Sequence, residues 1–136
     1  MKDSIIFRTV SRILFSFMLI FGIYIVAYGD LSPGGGFQGG AILTTAYLFF
    51  YFIELDNKIS LKKLIKMEKI LFLIMVCSGF ISFLFYGEFF TNPIVSGGTI
   101  HRRIFLVFLN LIIASKVTIG LIGIVESFIE EEDNGI

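Results

Sequence analysis

One lysine, Lys116, stands alone in the middle of an apolar run extending from about Ile104 to Ile129. A cation at the centre of a bilayer-crossing helix costs about 2.5–3.5 kcal/mol on insertion scales, so it faces protein or a hydrated cavity rather than lipid. Three uses are open to it: part of a proton or cation pathway, a contact to a neighbouring subunit, or a snorkelling side chain at a misplaced helix end. Ile112, Ile119, Gly120 and Gly123 share its side of a helix, so a narrow glycine strip runs beside it. Glu126, the nearest acid in the same run, is about 15 Å further along at 1.5 Å per residue and reads as interfacial. A carboxylate partner for Lys116 is therefore expected from another subunit.

The remaining reactive residue types are sparse. Asp30, beside a tight turn, either caps backbone amides or lies at an outer ion entrance. His101, Arg102 and Arg103 precede the last apolar run and suit an interfacial anchor to lipid phosphates, with pH sensing at His101 as the alternative. The single Cys77, between Val76 and Ser78, can close no internal bridge and reads as a small packing residue. One His, one Cys and no acidic cluster beside them give nothing from which to assemble a metal centre, a redox-cofactor site or an acid, base and nucleophile set. The chain is thus expected to be non-catalytic by itself and to hold no metal or other cofactor.

The elements that position these residues follow from composition. Of 136 residues, 56% are hydrophobic before glycine is counted, against about 45–50% with glycine included in ordinary soluble domains. Most of the eleven Lys or Arg and eleven Asp or Glu collect at the amino end, around positions 54–69, and in the last eleven residues. A hydrocarbon core about 30 Å thick takes about 20 helical residues per crossing, so four crossings fit this length. The balance excludes a soluble enzyme, a nucleic-acid binder and a disulfide-stapled secreted domain.

The pattern predicts an all-α polytopic membrane protein: one four-helix domain over residues 1–129, with spans at about 5–29, 33–53, 69–87 and 104–129 and an acidic tail at 130–136. The first run is too long for a cleaved signal core of about 7–15 apolar residues and reads as a retained helix. Residues 59–69 allow either a short amphipathic turn on the membrane surface or a hydrated loop. Phe80 to Phe90 is a lipid-facing or bundle-filling stretch, and the end of the tail is expected to be disordered. Lys2, Arg8, Arg12, Lys58, Lys62, Lys63, Lys66 and Lys69 fall on one side of this topology, and only Arg102 and Arg103 on the other. Positive flanks stay in the cytoplasm, which places both termini there.

The most specific string runs from Gly29 to Gly40. Ser32 can be a helix N-cap with Pro33 at the first helical position. The glycines need another reason, because each costs about 1 kcal/mol of helix propensity against alanine. Gly34, Gly35 and Gly36 suit positive dihedrals in the turn. Gly35 with Gly39, and Gly36 with Gly40, have the small-xxx-small spacing of closely packed membrane helices. Phosphate cradling is a weaker reading, since no Lys-Ser or Lys-Thr follows.

Pro33-Gly34-Gly35-Gly36-Phe37, followed by Gly39-Gly40 and preceded by Gly29, resembles the signature of the MnhB/MrpB-like subunit of the multi-subunit Mrp-type sodium/proton antiporters. The same domain occurs as a small membrane subunit of related membrane-bound hydrogenases and sulfur-reducing complexes. Lys116-Val117-Thr118-Ile119-Gly120-Leu121 is similar to a second pattern of that family, and the resemblance extends from about Ser4 to Phe128. It implies an accessory subunit of a cation/proton antiporter in a prokaryotic cell membrane. Other membrane subunits and lipid would be its partners, with Na+ and H+ passing near Lys116. Family members commonly have His where this chain has Asp30, and an unperturbed Asp is already ionised at neutral pH, so any proton handling there shifts its working pH. The alternative is a small homo-oligomeric transporter, which usually requires an acidic residue within its spans.

Overall fold

The computed structural model describes residues 5–31, 33–53, 60–91 and 98–135. Among them the chain is all-helical: α1 (Ile5–Ala27), α2 (Gly36–Ile53), α3 (Leu61–Tyr86) and α4 (Gly98–Gly135). Three helices are long and apolar enough to cross a membrane, namely α1, α3 and residues 103–131 of α4.

The helix ends depart from the sequence expectation in identifiable ways. Pro33 does not open α2. Gly34 and Gly35 have φ of 149° and 125°, which no right-handed helix accommodates, so α2 starts only at Gly36. Its first amide is met from far along the chain, with Gly36 N–H donating to Asn110 Oδ1 at 3.3 Å. Ser32, expected as the cap, lies outside the described residues. Residues 61–69 form neither a loop nor a separate surface turn but the first turns of α3, whose buried Leu64 faces α4. α3 ends at Gly87, left-handed at φ 75°, whose N–H donates to Phe83 O at 2.7 Å. The acidic tail continues α4 as helix to Gly135 instead of fraying.

Beyond Gly87 the chain folds back on α3. Ser82 Oγ donates to the carbonyls of Glu88 and Thr91, and the Phe89 ring stacks on Phe83 at 4.6 Å. Phe90 sits on Gly79, where an added Cβ would come within 2.8 Å of its ring. Part of the phenylalanine-rich stretch thus closes the end of α3 on itself.

Among the described residues α2 packs between α1 and α4, α1 meets α4 more briefly, and α3 touches α4 alone. Many of the buried positions are small or polar, such as Ser11, Gly22, Thr44, Ala46, Ser82 and Ala114, with Val26, Tyr51, Leu64, Ile112 and Ile122 buried among them. Large apolar side chains such as Ile5, Ile20, Leu84 and Phe128 point outward. A water-soluble domain does the reverse, whereas lipid gives no drive to hide Leu or Phe and rewards close backbone approach.

Candidate functional site

The α2/α4 seam is built from the glycines. A Cβ on Gly36 would stand 2.6 Å from Asn110 O, and one on Gly40 2.7 Å from Ala114 O. Gly39 faces the other way, toward α1, with Val26 Cγ2 against the place a Cβ would take. At the turn, Gly29 abuts the Gly35 backbone, and Gly34 lies beside Ile25. Close approach then admits hydrogen bonds between helices. Thr118 Oγ1 donates across the seam to Gly40 O at 3.1 Å, a carbonyl that also accepts from Thr44 Oγ1 on α2 itself at 2.9 Å. Further along, Tyr47 OH donates to Glu126 Oε1 at 3.2 Å. Glu126 is buried, with Tyr47 of α2 against it.

At the end of this seam nearest the turn before α2, Asp30 Oδ2 pairs with Arg103 Nε at 3.3 Å, and the Arg103 guanidinium lies 5.2 Å from the Tyr28 ring centroid. The Asp30 side chain is only 5% exposed, and among the described residues its Oδ1 has no hydrogen-bond partner and its Oδ2 serves Arg103, not a row of backbone amides. Arg103, expected as a lipid anchor, is held by protein. The side chains of His101 and Arg102 lie outside the described residues.

Lys116 is on the other side of α4, facing α3. Its Nζ is 3.4 Å from Glu68 Oε1 and 4.7 Å from the Phe72 ring centroid. The carboxylate expected from another subunit is therefore supplied by this chain. By sequence Glu68 belongs to a peripheral polar segment, and the early start of α3 is what carries it into the helical bundle. Beside the pair lies a largely apolar cleft of about 380 Å³, lined by Leu64, Glu68, Ile119, Gly120, Gly123 and Ile124 among others. A Cβ on Gly120 or Gly123 would meet nothing within 4 Å. These two glycines do not pack helices together within the chain but keep one wall of the cleft bare.

Sequence alone does not single out Glu68, Asn110 or Tyr47. Asn110 carries a usable signal, being a lone amide within an apolar run, where polar side chains are costly unless partnered. Among the described residues no three His, Cys, Asp or Glu side chains converge as a metal site. The Tyr47–Glu126 hydrogen bond has a direct consequence. Tyr47→Phe removes a donor from a buried carboxylate, for an expected loss of about 1.5–3 kcal/mol, read as a drop in thermal stability in detergent with the helical content unchanged.

Residues 6–123 match the family described as the domain related to the MnhB subunit of Na+/H+ antiporter. The chain is 31% identical over 83 residues to the putative antiporter subunit mnhB2 of Staphylococcus saprophyticus, covering 61% of this chain and 56% of that protein. It is 36% identical over 50 residues to mnhB2 of Staphylococcus haemolyticus, covering 37% and 36% respectively. A chain from the structure of the membrane-bound sulfane sulfur reductase, an archaeal respiratory membrane complex, superposes with a TM-score of 0.73 at 30% identity. That superposition covers 94% of this chain and 59% of the other. The chain thus spans little more than half the length of the Staphylococcus saprophyticus relative and of the sulfane sulfur reductase chain.

Proposed function

The chain belongs to the family of domains related to the MnhB subunit of Na+/H+ antiporters, and on that premise we propose that it is an accessory transmembrane subunit of a multi-subunit cation/proton antiporter module. The module is either free-standing or built into a membrane-bound respiratory complex. What carries this reading is that the likeness extends over the whole helical unit rather than over one motif. The surface supports it physically. α3 is attached by one neighbour only among the described residues, and most large apolar side chains point outward, as in a piece completed by lipid and other subunits.

In this proposal all four helices cross the membrane with both termini in the cytoplasm, following the lysines gathered at the start of α3. The subunit performs no covalent chemistry. Lys116 and Glu68 flank a hydrated route for protons or cations through the α3/α4 cleft, and Asp30 with Arg103 stands at the outer end of the bundle. A membrane-embedded cation keeps its charge at reduced cost when a carboxylate and a π face are both within reach.

Tagged purification in mild detergent from the native cells, followed by mass spectrometry, tests the assignment. Large antiporter-like membrane subunits are expected in the eluate, and metal-containing subunits beside them would identify a redox-driven host. Recovery of the chain alone as a homo-oligomer would replace this reading with that of a small self-sufficient transporter.

A further inference from the structure

The first turns of α3 carry charges that the pathway does not use. Lys62, Lys66 and Lys69 follow one another at spacings of four and three residues, and the same stripe continues through Leu73, Val76 and Phe80. The opposite side of the helix, with Leu64 and Glu68, is the one that meets α4. The lysine stripe therefore points away from the one helix that α3 touches among the described residues. All three lysines are exposed, and none is in an ion pair among the described residues, Glu68 being taken by Lys116. Between them lies an open cleft of about 370 Å³ floored by Ile65, Ile70 and Leu73.

From this arrangement we propose that the α3 stripe is a binding site for an anionic membrane phospholipid. The phosphate lies among Lys62, Lys66 and Lys69, and an acyl chain runs down Leu73, Val76 and Phe80. Charge complementarity argues for the headgroup: three ammonium groups on one face, with no acidic partner among the described residues, suit a phosphodiester held at the membrane surface. The polarity gradient argues for the tail. Leu73 is 60% and Phe80 54% exposed, and from Lys69 to Phe80 the helix rises about 16 Å, close to half of a hydrocarbon core about 30 Å thick. Basic residues at the membrane surface followed by one leaflet's depth of apolar surface match the two ends of a phospholipid. An acidic protein segment would match the lysines but not the greasy continuation. α3 has the length and apolar character that such a site requires of a membrane-crossing helix.

The test uses the intact complex containing this chain, reconstituted into nanodiscs with photoactivatable phosphatidylglycerol or phosphatidylcholine at equal mole fraction. Crosslinks on residues 62–80 are read by mass spectrometry. Phosphatidylglycerol is expected to label this segment several-fold more than phosphatidylcholine, and K62Q/K66Q/K69Q to bring the two to the same level. Where the triple variant fails to assemble, K66Q alone is expected to lower labelling about fivefold, the effect of one surface lysine. Equal labelling by the two lipids, labelling unchanged by either variant, or no labelling because a protein covers the stripe would each overturn the proposal.

Discussion

Gly40→Leu is expected to remove the subunit from the assembled complex, with recovery falling tenfold or more. The reason is what stands opposite. A Cβ at Gly40 would come within 2.7 Å of the Ala114 carbonyl oxygen and 2.8 Å of Val117 Cβ, so the obstacle is the backbone of α4 and a branched side chain rooted on it. Relief requires α2 and α4 to separate, which also breaks the Thr118 hydrogen bond to the Gly40 carbonyl. Even Gly40→Ala should lose. It gains about 1 kcal/mol of helix propensity, against about 1–3 kcal/mol of overpacking. Gly39→Leu is also expected to lower the yield, since a Cβ there would press on Val26 Cγ2 with the Gly22 carbonyl oxygen and the Val26 amide nitrogen each 3.2 Å away. Gly123→Ala is the control, because it has the same helix gain and nothing within 4 Å to meet. Recovery and thermal stability of the purified complex distinguish these variants; normal yield of Gly40→Leu, or equal loss at Gly123, would contradict the close-packing argument.

That contrast also marks how far the sequence can be read. Long uncharged apolar runs announce membrane helices, and the three helices with membrane-spanning length and apolarity are those around Phe17, Val76 and Lys116. The glycines beside Lys116 and those after Pro33 look alike as letters, yet Gly36 and Gly40 abut backbone while Gly120 and Gly123 face an open cleft. Spacing shows which residues share a face, but not which faces have a neighbour. The start of α3 is hidden for a related reason. Lys62, Lys63 and Lys66 are good helix formers in any solvent, and hydropathy alone cannot separate a basic helix end from a polar loop. Glu68 is hidden behind the same boundary. Asn110 capping Gly36 is beyond local reading altogether, because the helix start is set by a side chain on another helix. The Asp30–Arg103 pair likewise joins two residues each of which alone suggests a different use.

The second large effect concerns Lys116 and Glu68, where a structural role and a pathway role make different predictions. Lys116→Ala and Glu68→Ala each leave one charge without its partner in a helical bundle. For a fully buried pair that costs about 3–5 kcal/mol, but here the side chains are 29% and 35% exposed, and solvent screening takes back a large share. Assembly should therefore survive each single change with a modest drop in stability. Sodium or proton transport by the reconstituted complex should fall at least tenfold. The double variant Lys116→Gln with Glu68→Gln separates the two roles, because it removes the unpaired charge together with its cost. Its stability is expected to return toward that of the unaltered protein while transport stays low, since amides cannot exchange a proton or hold a cation by charge. Exchanging the charges, Lys116→Glu with Glu68→Lys, keeps the attraction and should recover part of the transport. Transport restored in the amide double variant would reduce the pair to a structural contact, and full transport in an assembled Lys116→Ala complex would remove this subunit from the ion route.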